Sequence, residues 1–383
     1  MDKKAGLVDV QRRMPLRVLF LSRRTLFSGP GGDTIQVLKT AEALRERGCS
    51  VDISTDAEPR VEGYDLIHLF NLTRPQETYF QAHTAKRSGI PVVLSPIYVD
   101  YREYERSGRS GLRGRILGYL PSSWTETIKI AGRLLVNGES PIESMRLIAT
   151  GYRRAQGRLL SMASVLLPNS HSEELRIETD FPEARGKSYV VVPNAIDPHL
   201  FSLERVKPME DYRDSVLCVG RIEGRKCQLE LVRALNGTDL KLVLIGKPGP
   251  NYLAYLDQIK REMGPNVTYL GEVPHADLPR YYAACKVHAL VSWMETTGLS
   301  SLEAGVMGAN IVITNKGDTE EYFGEFAHYC SPDSIDSIRS AVLAAYRAPR
   351  SSFLRKRILE KYTWENTAEA TLSAYEQVLA RTR

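Results

Sequence analysis

Short apolar runs recur along the chain and alternate with segments of helical periodicity. The first run, 17–21, leads into a glycine-rich turn, 28–33, and then into a helical pattern that ends near Gly48. A second run, 51–54, follows directly. Short buried strands separated by helices are typical of parallel sheets. The pattern therefore predicts a β-α-β unit at the start of the chain.

Apolar runs of the same kind continue through both halves of the chain. In the first half they occupy 66–70, 91–94, 164–167 and 189–192, and in the second half 215–219, 241–245, 267–269, 287–291 and 310–314. Most of the intervening segments are long enough to hold helices, as a doubly wound parallel sheet requires. The predicted fold class is α/β, with two Rossmann-like parallel-sheet domains.

A polar, proline-containing stretch separates the two halves. Because 383 residues exceed what one hydrophobic core usually supports, two domains are expected. We predict an N-terminal domain over 14–198, a linker over 199–213 and a C-terminal domain over 214–362. The last segment, 363–383, is predicted as a helix with Tyr375 on its apolar face, and we expect it to cross back toward the N-terminal domain.

The composition places the chain among ordinary folded proteins, since 43% of its residues are hydrophobic and 25% are charged. Its first residues are polar, and no segment approaches the roughly 18 apolar residues of a membrane span, which predicts a cytoplasmic protein. The five cysteines are scattered and odd in number, so we expect reduced, buried thiols and no metal site. A net charge of +5 is too small to indicate nucleic-acid binding.

Positive charge is concentrated between 102 and 158, where eleven basic residues stand against five acidic ones. Apolar positions form two helical stripes there, namely Trp124, Ile128, Ala131 and Leu135, then Met145, Ile148, Tyr152, Ala155 and Leu159. The arginines near the first stripe are Arg102, Arg106, Arg109, Arg113 and Arg115. Since basic amphipathic helices bind anionic membranes, contact with lipid or a phosphorylated acceptor is one hypothesis. The alternative is that the stripes are buried against the first sheet while the arginines are solvated.

A basic turn follows the predicted strand at 215–219. It places Arg221 and Lys226 next to the start of a predicted helix. The free amides and positive dipole of a helix N-terminus bind anions, and two cations would add to them. Such a turn can hold a diphosphate and stabilise the charge that grows on a leaving group. A merely solvated basic turn is the alternative.

Two carboxylates follow the predicted strand at 287–291. Glu295 is predicted in the loop and Glu303 inside the next helix. The amides of the first helical turn belong to Thr297, Gly298 and Leu299. They would point toward a bound phosphate or sugar. The alternative for Glu303 is a capping box with Ser300, in which both side chains only satisfy helix-end amides.

Arg221, Lys226 and the Glu295-x7-Glu303 pair, in a chain with a Gly-Gly turn after its first strand, resemble the GT4 family of retaining glycosyltransferases. The resemblance extends from Leu16 to the terminal helix. It implies the GT-B fold, in which two Rossmann-like domains face a central cleft. It also implies transfer of a sugar from a nucleotide-sugar donor to a glycan or lipid-linked acceptor, in cell-surface polysaccharide or glycolipid biosynthesis.

The resemblance further implies roles for individual residues. Arg221 and Lys226 would grip the donor diphosphate, Glu303 would accept hydrogen bonds from the ribose, and Glu295 would hold hydroxyls of the transferred sugar. On the other side of the cleft, the glycine loop would be Gly31 and Gly32, and Asn194 would match the family's Pro-Asn-Gly-Val-Asp segment. Glycines there would let the backbone approach the diphosphate and acceptor.

The sequence departs from the family in two places. The family often has a histidine after the fourth strand of the first domain, but 94–100 contains none. Ser95, Tyr98 or Asp100 would replace it, or His68 would come in from the neighbouring strand end; a purely structural His68 is the alternative. The family's Glu-Gly-Phe-Gly-Leu turn is Glu-Thr-Thr-Gly-Leu here, which alters the surface that meets the sugar.

The expected chemistry is attack of the acceptor hydroxyl on the face from which the diphosphate leaves, with the departing phosphate taking the proton. Arg221, Lys226 and helix amides would stabilise the leaving group, and the chain has no Asp-x-Asp metal motif, so neither a divalent ion nor a cofactor is expected.

Three other classes compete with this interpretation. A nucleotide-sugar epimerase of the same fold and a non-catalytic nucleotide-sugar-binding protein are the alternatives that we keep. A dinucleotide oxidoreductase is disfavoured, because the Gly29-Pro-Gly-Gly32 turn lacks the G-x-G-x-x-G spacing.

Overall fold

The computed structural model describes residues 15–100, 102–104, 150–350 and 352–382. Its N-terminal domain contains a five-stranded parallel sheet in the order β2-β1-β3-β4-β5. The strands are β1 Arg17–Leu21, β2 Ser50–Ser54, β3 Leu66–Phe70, β4 Val92–Ser95 and β5 Val165–Leu166. All five residues of β3 are buried, as expected for a central strand of a parallel sheet covered on both faces.

Helices cover this sheet. They are α1 Gly32–Glu46, α2 Pro75–Arg87, α3 Tyr152–Met162 and α4 His171–Asp180. Proline at the first position of α2 costs no hydrogen bond, because that amide has no helical partner. The side chain of Ser170 caps α4 by accepting from the amide of Glu173.

The C-terminal domain contains a six-stranded parallel sheet in the order β11-β10-β9-β6-β7-β8. Its strands are β6 Val216–Val219, β7 Leu242–Ile245, β8 Val267–Gly271, β9 Val287–Leu290, β10 Asn310–Thr314 and β11 Ala327–Cys330. Its helices are α5 Gln228–Leu235, α6 Leu253–Glu262, α7 Leu278–Ala284, α8 Leu299–Val306, α9 Thr319–Phe323, α10 Ile335–Arg347 and α11 Ser352–Lys361. The predicted fold class is confirmed, with two parallel-sheet α/β domains.

The terminal helix α12, Trp364–Thr382, returns to the N-terminal domain. It packs against α1, and Ala368, Ala374 and Tyr375 are fully buried in the core of that domain. The hydroxyl of Tyr375 lies 2.7 Å from Nδ1 of His68 on β3. A helix from the end of the chain thus completes the core at its beginning.

One strand prediction was wrong, and one strand was missed. The stretch 189–192 forms no strand, only an isolated bridge between Leu166 and Tyr189, because β5 consists of Val165 and Leu166 alone and offers a short edge for pairing. The strand β11 was not predicted. Its sequence Ala-His-Tyr-Cys has no β-branched residue, and three of its four positions are only partly buried.

The basic segment is described only in part. The first apolar stripe, with Met145 and Ile148 of the second, lies outside the described residues, as do Arg106, Arg109, Arg113 and Arg115. Within α3, Ala155 and Leu159 are fully buried while Arg153 and Arg154 are exposed, which favours the buried alternative for this part of the second stripe. Among the described helices, none combines the length and apolar character needed to cross a bilayer.

Candidate active site

Two turns of the C-terminal domain meet at the carboxyl edge of its sheet. One follows β6 and carries Arg221 and Lys226, and the other follows β9 and carries Glu295. The strands β6 and β9 are hydrogen-bonded neighbours, so their following loops lie side by side. The amide of Trp293 donates to the carbonyl of Arg225 at 2.8 Å. The Lys226 ammonium also forms an ion pair with the Glu295 carboxylate.

This ion pair is largely shielded from water, with 13% and 10% of the two side chains exposed. Burial alone would raise the pKa of Glu295, but the charges of Lys226 and Arg225 outweigh it and hold the pKa below its ordinary value. Glu295 is therefore an anion at neutral pH. Lys226 thus has its counterion within the C-terminal domain.

Arg221 reaches the N-terminal domain directly. Its Nη2 donates to the carbonyl oxygen of Pro30 at 2.6 Å, and its Nη1 donates to Glu223 at 3.2 Å. A Cβ atom on Gly31 would lie 3.0 Å from the Asp33 carboxylate and 3.2 Å from the Arg221 guanidinium, so a side chain at this position would crowd the contact between the two domains. Residues of both domains therefore line the site.

The glycine turn is held in shape by the buried Arg23. Its guanidinium donates to both carboxylate oxygens of Asp33, at 2.6 and 3.0 Å, and to the carbonyls of Thr25 and Gly29. Burial would raise the pKa of Asp33, but the Arg23 bond and charge lower it overall. A fixed ion pair therefore presents the Pro30 carbonyl to Arg221.

The start of α8 completes the contact between the domains. Nδ2 of Asn194 donates to the hydroxyl of Thr297 at 3.1 Å, and both side chains are buried. A Cβ atom on Gly32 would lie 3.6 Å from Leu299, the first residue of α8. The helix begins after Gly298, next to the turn that holds Glu295.

Glu303 does not form the capping box. The capping position is Gly298, so Ser300 lies inside the first turn and its side chain caps nothing. The Glu303 carboxylate instead accepts from Nε2 of His275 at 2.7 Å and from the hydroxyl of Tyr282 at 2.9 Å. The sequence analysis missed both residues, because they lie more than 20 positions upstream and no spacing links them to Glu303.

The structure does not bring Tyr98 into this group. Its side chain is buried and its hydroxyl donates to Asp180 at 2.8 Å, inside the N-terminal domain. His68 is fully buried between Ser95 and the terminal helix, and burial lowers its pKa to about 3. His68 is therefore neutral and structural, and the Ser95 hydroxyl is already hydrogen-bonded to it. Asp100 pairs with Arg102.

The sequence of the C-terminal domain matches a known family. Residues 203–360 match the model of the family described as glycosyl transferases group 1. The C-terminal domain is thus similar in sequence to group 1 glycosyl transferases over these residues. The matched region contains Arg221, Lys226, Glu295 and Glu303, whereas the glycine turn and Asn194 lie outside it.

Sequence similarity to other proteins extends beyond the C-terminal domain. A D-inositol 3-phosphate glycosyltransferase of Nocardioides sp. is 24% identical over 92% of the chain and 86% of its own length. An uncharacterized glycosyltransferase of Methanocaldococcus jannaschii is 26% identical over 67% of the chain and 69% of its own length.

Solved structures agree on the fold. Sucrose-phosphate synthase from Thermosynechococcus elongatus superposes with a TM-score of 0.69, 16% identity and coverage of 95% of this chain and 99% of its own. HepE from Anabaena, in complex with UDP and glucose, superposes with a TM-score of 0.66 and 16% identity. The match covers 94% of this chain and 99% of HepE. The chain therefore has the GT-B fold in both domains.

Proposed function

We propose that this protein is a retaining glycosyltransferase that moves a sugar from a nucleoside diphosphate sugar to a hydroxyl group of a glycan or lipid-linked acceptor. The observation that carries the proposal is the Arg221 guanidinium, which spans from Glu223 of its own domain to the Pro30 carbonyl of the other. A cation at this junction lies where the diphosphate of a donor would meet both domains.

In the proposed reaction, the bond between the anomeric carbon and the diphosphate oxygen breaks, and the electron pair leaves with the diphosphate. The acceptor hydroxyl attacks the anomeric carbon on the same face, and its proton passes to the departing phosphate oxygen. Arg221, Lys226 and the amides of Thr297, Gly298 and Leu299 stabilise the negative charge that develops there. These groups supply positive charge from the chain itself, so we propose that no divalent ion or cofactor is needed.

In this proposal, Glu295 and Glu303 bind two different parts of the donor, the transferred sugar and the ribose. Glu295 is held as an anion by Lys226 and would accept hydrogen bonds from hydroxyls of the transferred sugar. Glu303 would accept from the ribose. Gly31 and Gly32 would pass close to the diphosphate and acceptor, with Asn194 supporting the start of α8 through Thr297.

The names of similar proteins suggest donors and acceptors to try first. The structure of HepE holds UDP, which makes UDP-sugars the first donors to test. The relatives named D-inositol 3-phosphate glycosyltransferase direct attention to phosphorylated acceptors. A cytoplasmic location, contact of the basic segment with anionic lipid, and a role in polysaccharide or glycolipid synthesis remain part of the proposal.

The test is a transfer assay with UDP-, GDP-, ADP- and dTDP-sugars and a panel of acceptors. Arg221→Ala should lower the rate of nucleoside diphosphate release about 100-fold or more, because it removes a charge that acts on the leaving group. Lys226→Ala should do the same, with its unfolding measured in parallel because Glu295 loses its counterion. Arg233→Ala, which removes a surface cation paired with Glu262, is the control.

The assay also separates the alternatives. A binding protein would retain nucleotide sugar without consuming it, and an epimerase would convert the nucleotide sugar without releasing nucleoside diphosphate. Rates near those of the wild type in both Arg221→Ala and Lys226→Ala would refute the assignment.

A further inference from the structure

The Glu303 carboxylate is fixed at both of its oxygens. Oε1 accepts from Nε2 of His275 at 2.7 Å and Oε2 accepts from the hydroxyl of Tyr282 at 2.9 Å. Only 9% of the Glu303 side chain is exposed. An ionised carboxylate offers about four acceptor positions. Two are used by these neighbours, which leaves one on each oxygen.

Both donors come from one short stretch of chain. His275 lies in the 3-10 turn that leads into α7, and Tyr282 lies seven residues later in that helix. Residues seven apart in helical conformation share a face, and here this face packs against α8, which carries Glu303.

The tyrosine is the more rigid of the two. Tyr282 is fully buried, with its ring against His288 and Phe201 at centroid distances of 5.8 and 6.0 Å. The ring of His275 makes an edge contact with Phe201 at 5.5 Å, while 41% of its side chain remains exposed. The carboxylate therefore cannot rotate without breaking a buried bond.

We propose that His275 and Tyr282 are positioning residues that orient Glu303 so that its two remaining acceptor positions receive the two vicinal hydroxyls of a donor ribose, and that the site thereby selects ribonucleotide over deoxyribonucleotide donors. This inference rests on the proposed function, because Glu303 faces a ribose only if a nucleotide sugar is bound. A ligand without the two hydroxyls leaves the two acceptor positions of a buried anion unfilled.

The experiment measures affinity by calorimetry. Whichever of UDP, ADP and GDP binds the wild type most tightly is compared with its 2′,3′-dideoxy counterpart. We expect the wild type to prefer the ribose form by about tenfold or more, since hydrogen bonds to a charged group are strong. Glu303→Gln should reduce that preference severalfold or more.

The positioning role is tested in the same measurement. Tyr282→Phe and His275→Leu should each lower affinity for the ribose form severalfold while leaving the dideoxy form nearly unchanged, with the larger effect from the buried Tyr282. His275→Gln keeps an N–H donor and should retain most of the preference. Tyr375→Phe, an equally buried tyrosine bonded to His68, is the matched control and should change neither affinity.

The outcomes separate the two ideas. A preference that disappears in Glu303→Gln but persists in Tyr282→Phe and His275→Leu overturns the positioning role and leaves the proposed function intact. Absence of any preference in the wild type refutes the ribose assignment of Glu303, and the inference fails with it. Failure to bind any of the three nucleotides or dTDP contradicts the proposed function itself, whereas binding of dTDP alone overturns the inference. Equal loss of both affinities in Tyr282→Phe would show a structural effect and would also overturn the inference.

Discussion

At the scale of single residues, the environment of His275 sets its charge. The hydrogen bond to Glu303 raises the pKa of His275, burial opposes this, and the Glu303 charge adds to the increase. Among the more distant groups, Lys39 lowers the pKa and Asp197 raises it. The net pKa lies above the ordinary value of 6.5. His275 therefore binds its proton more tightly in the folded protein than in the unfolded chain.

This shift gives a testable dependence on pH. A raised folded pKa contributes stability that is fully present below the unfolded pKa and is lost as the pH rises through the folded pKa. The difference in unfolding free energy between the wild type and His275→Gln should thus be larger near about pH 5.5 than near about pH 8.5. Urea unfolding of both proteins at the two pH values measures it. In His328, burial lowers the pKa, so His328→Gln should show the opposite trend.

Single residues also show which parts of the candidate site could be predicted from the sequence. The sequence places Arg221, Lys226 and Glu295 on turns after two predicted strands, and the structure brings these turns together because neighbouring parallel strands place their following loops at one edge. The partners of Glu303 could not be predicted in this way. Its bonds to His275 and Tyr282 arise from the packing of α7 on α8, which no local spacing encodes.

At the scale of elements, the turn with Glu295 is paired with the loop after β10. The amide of Glu295 donates to the carbonyl of Lys316 at 3.1 Å, and the amide of Asp318 donates to the carbonyl of Glu295 at 3.0 Å. Gly317 lies between these bonds with a φ of +102°. A Cβ atom there would overlap the backbone of Glu295, so only glycine allows the two loops to touch.

Gly317→Ala should therefore displace Glu295. We expect the transfer rate to fall at least about tenfold, because about 1 Å of misplacement at a reacting group has effects of this size or greater. The matched control is Gly237→Ala, where φ is +74° and a Cβ atom has no neighbour within 4 Å. That variant should lose only about 1–2 kcal/mol of stability from backbone strain and keep its rate. Equal rates in the two variants would contradict the positioning of Glu295 by Gly317.

Elements also show why some boundaries could not be predicted. Apolar runs located ten of the eleven strands in the part of the chain that the structure describes, because strands buried on both faces are rich in branched apolar residues. They failed at 189–192, where the run is apolar but the neighbouring strand β5 is so short that pairing is limited to an isolated bridge. They failed again at β11, an edge strand whose pairing with β10 does not depend on a fully apolar sequence.

At the scale of the molecule, two contacts tie the domains together at the segment after β10. Nη1 of Arg176 on α4 donates to the Asp318 carboxylate at 2.6 Å. The Glu321 carboxylate accepts from the amides of His171 and Ser172 at 3.0 Å each, at the start of α4. An anion at a helix N-terminus is favourable. Because Asp318 also holds the Glu295 backbone, the contact between the domains and the candidate active site share one segment.

The Arg176–Asp318 pair allows this coupling to be measured. The Asp318 side chain is fully buried, and burial raises its pKa while Arg176 opposes that effect. Arg176→Gln leaves the carboxylate without its cation and should cost about 3 kcal/mol of unfolding free energy. Asp318→Asn in the same background removes the uncompensated charge, so the double variant should be more stable than Arg176→Gln alone.

The transfer rate should follow the same order. Arg176→Gln is expected to slow transfer through the displaced segment, and the double variant should recover part of the rate. Denaturant unfolding and the transfer assay on all four proteins give the coupling energy, which for residues in contact is about 0.5–3 kcal/mol. Arg233→Gln, which breaks a more exposed pair with Glu262, should cost less than about 1 kcal/mol and leave the rate unchanged. A transfer rate in Arg176→Gln equal to that of the wild type would mean that the domain contact and the site of Glu295 are independent.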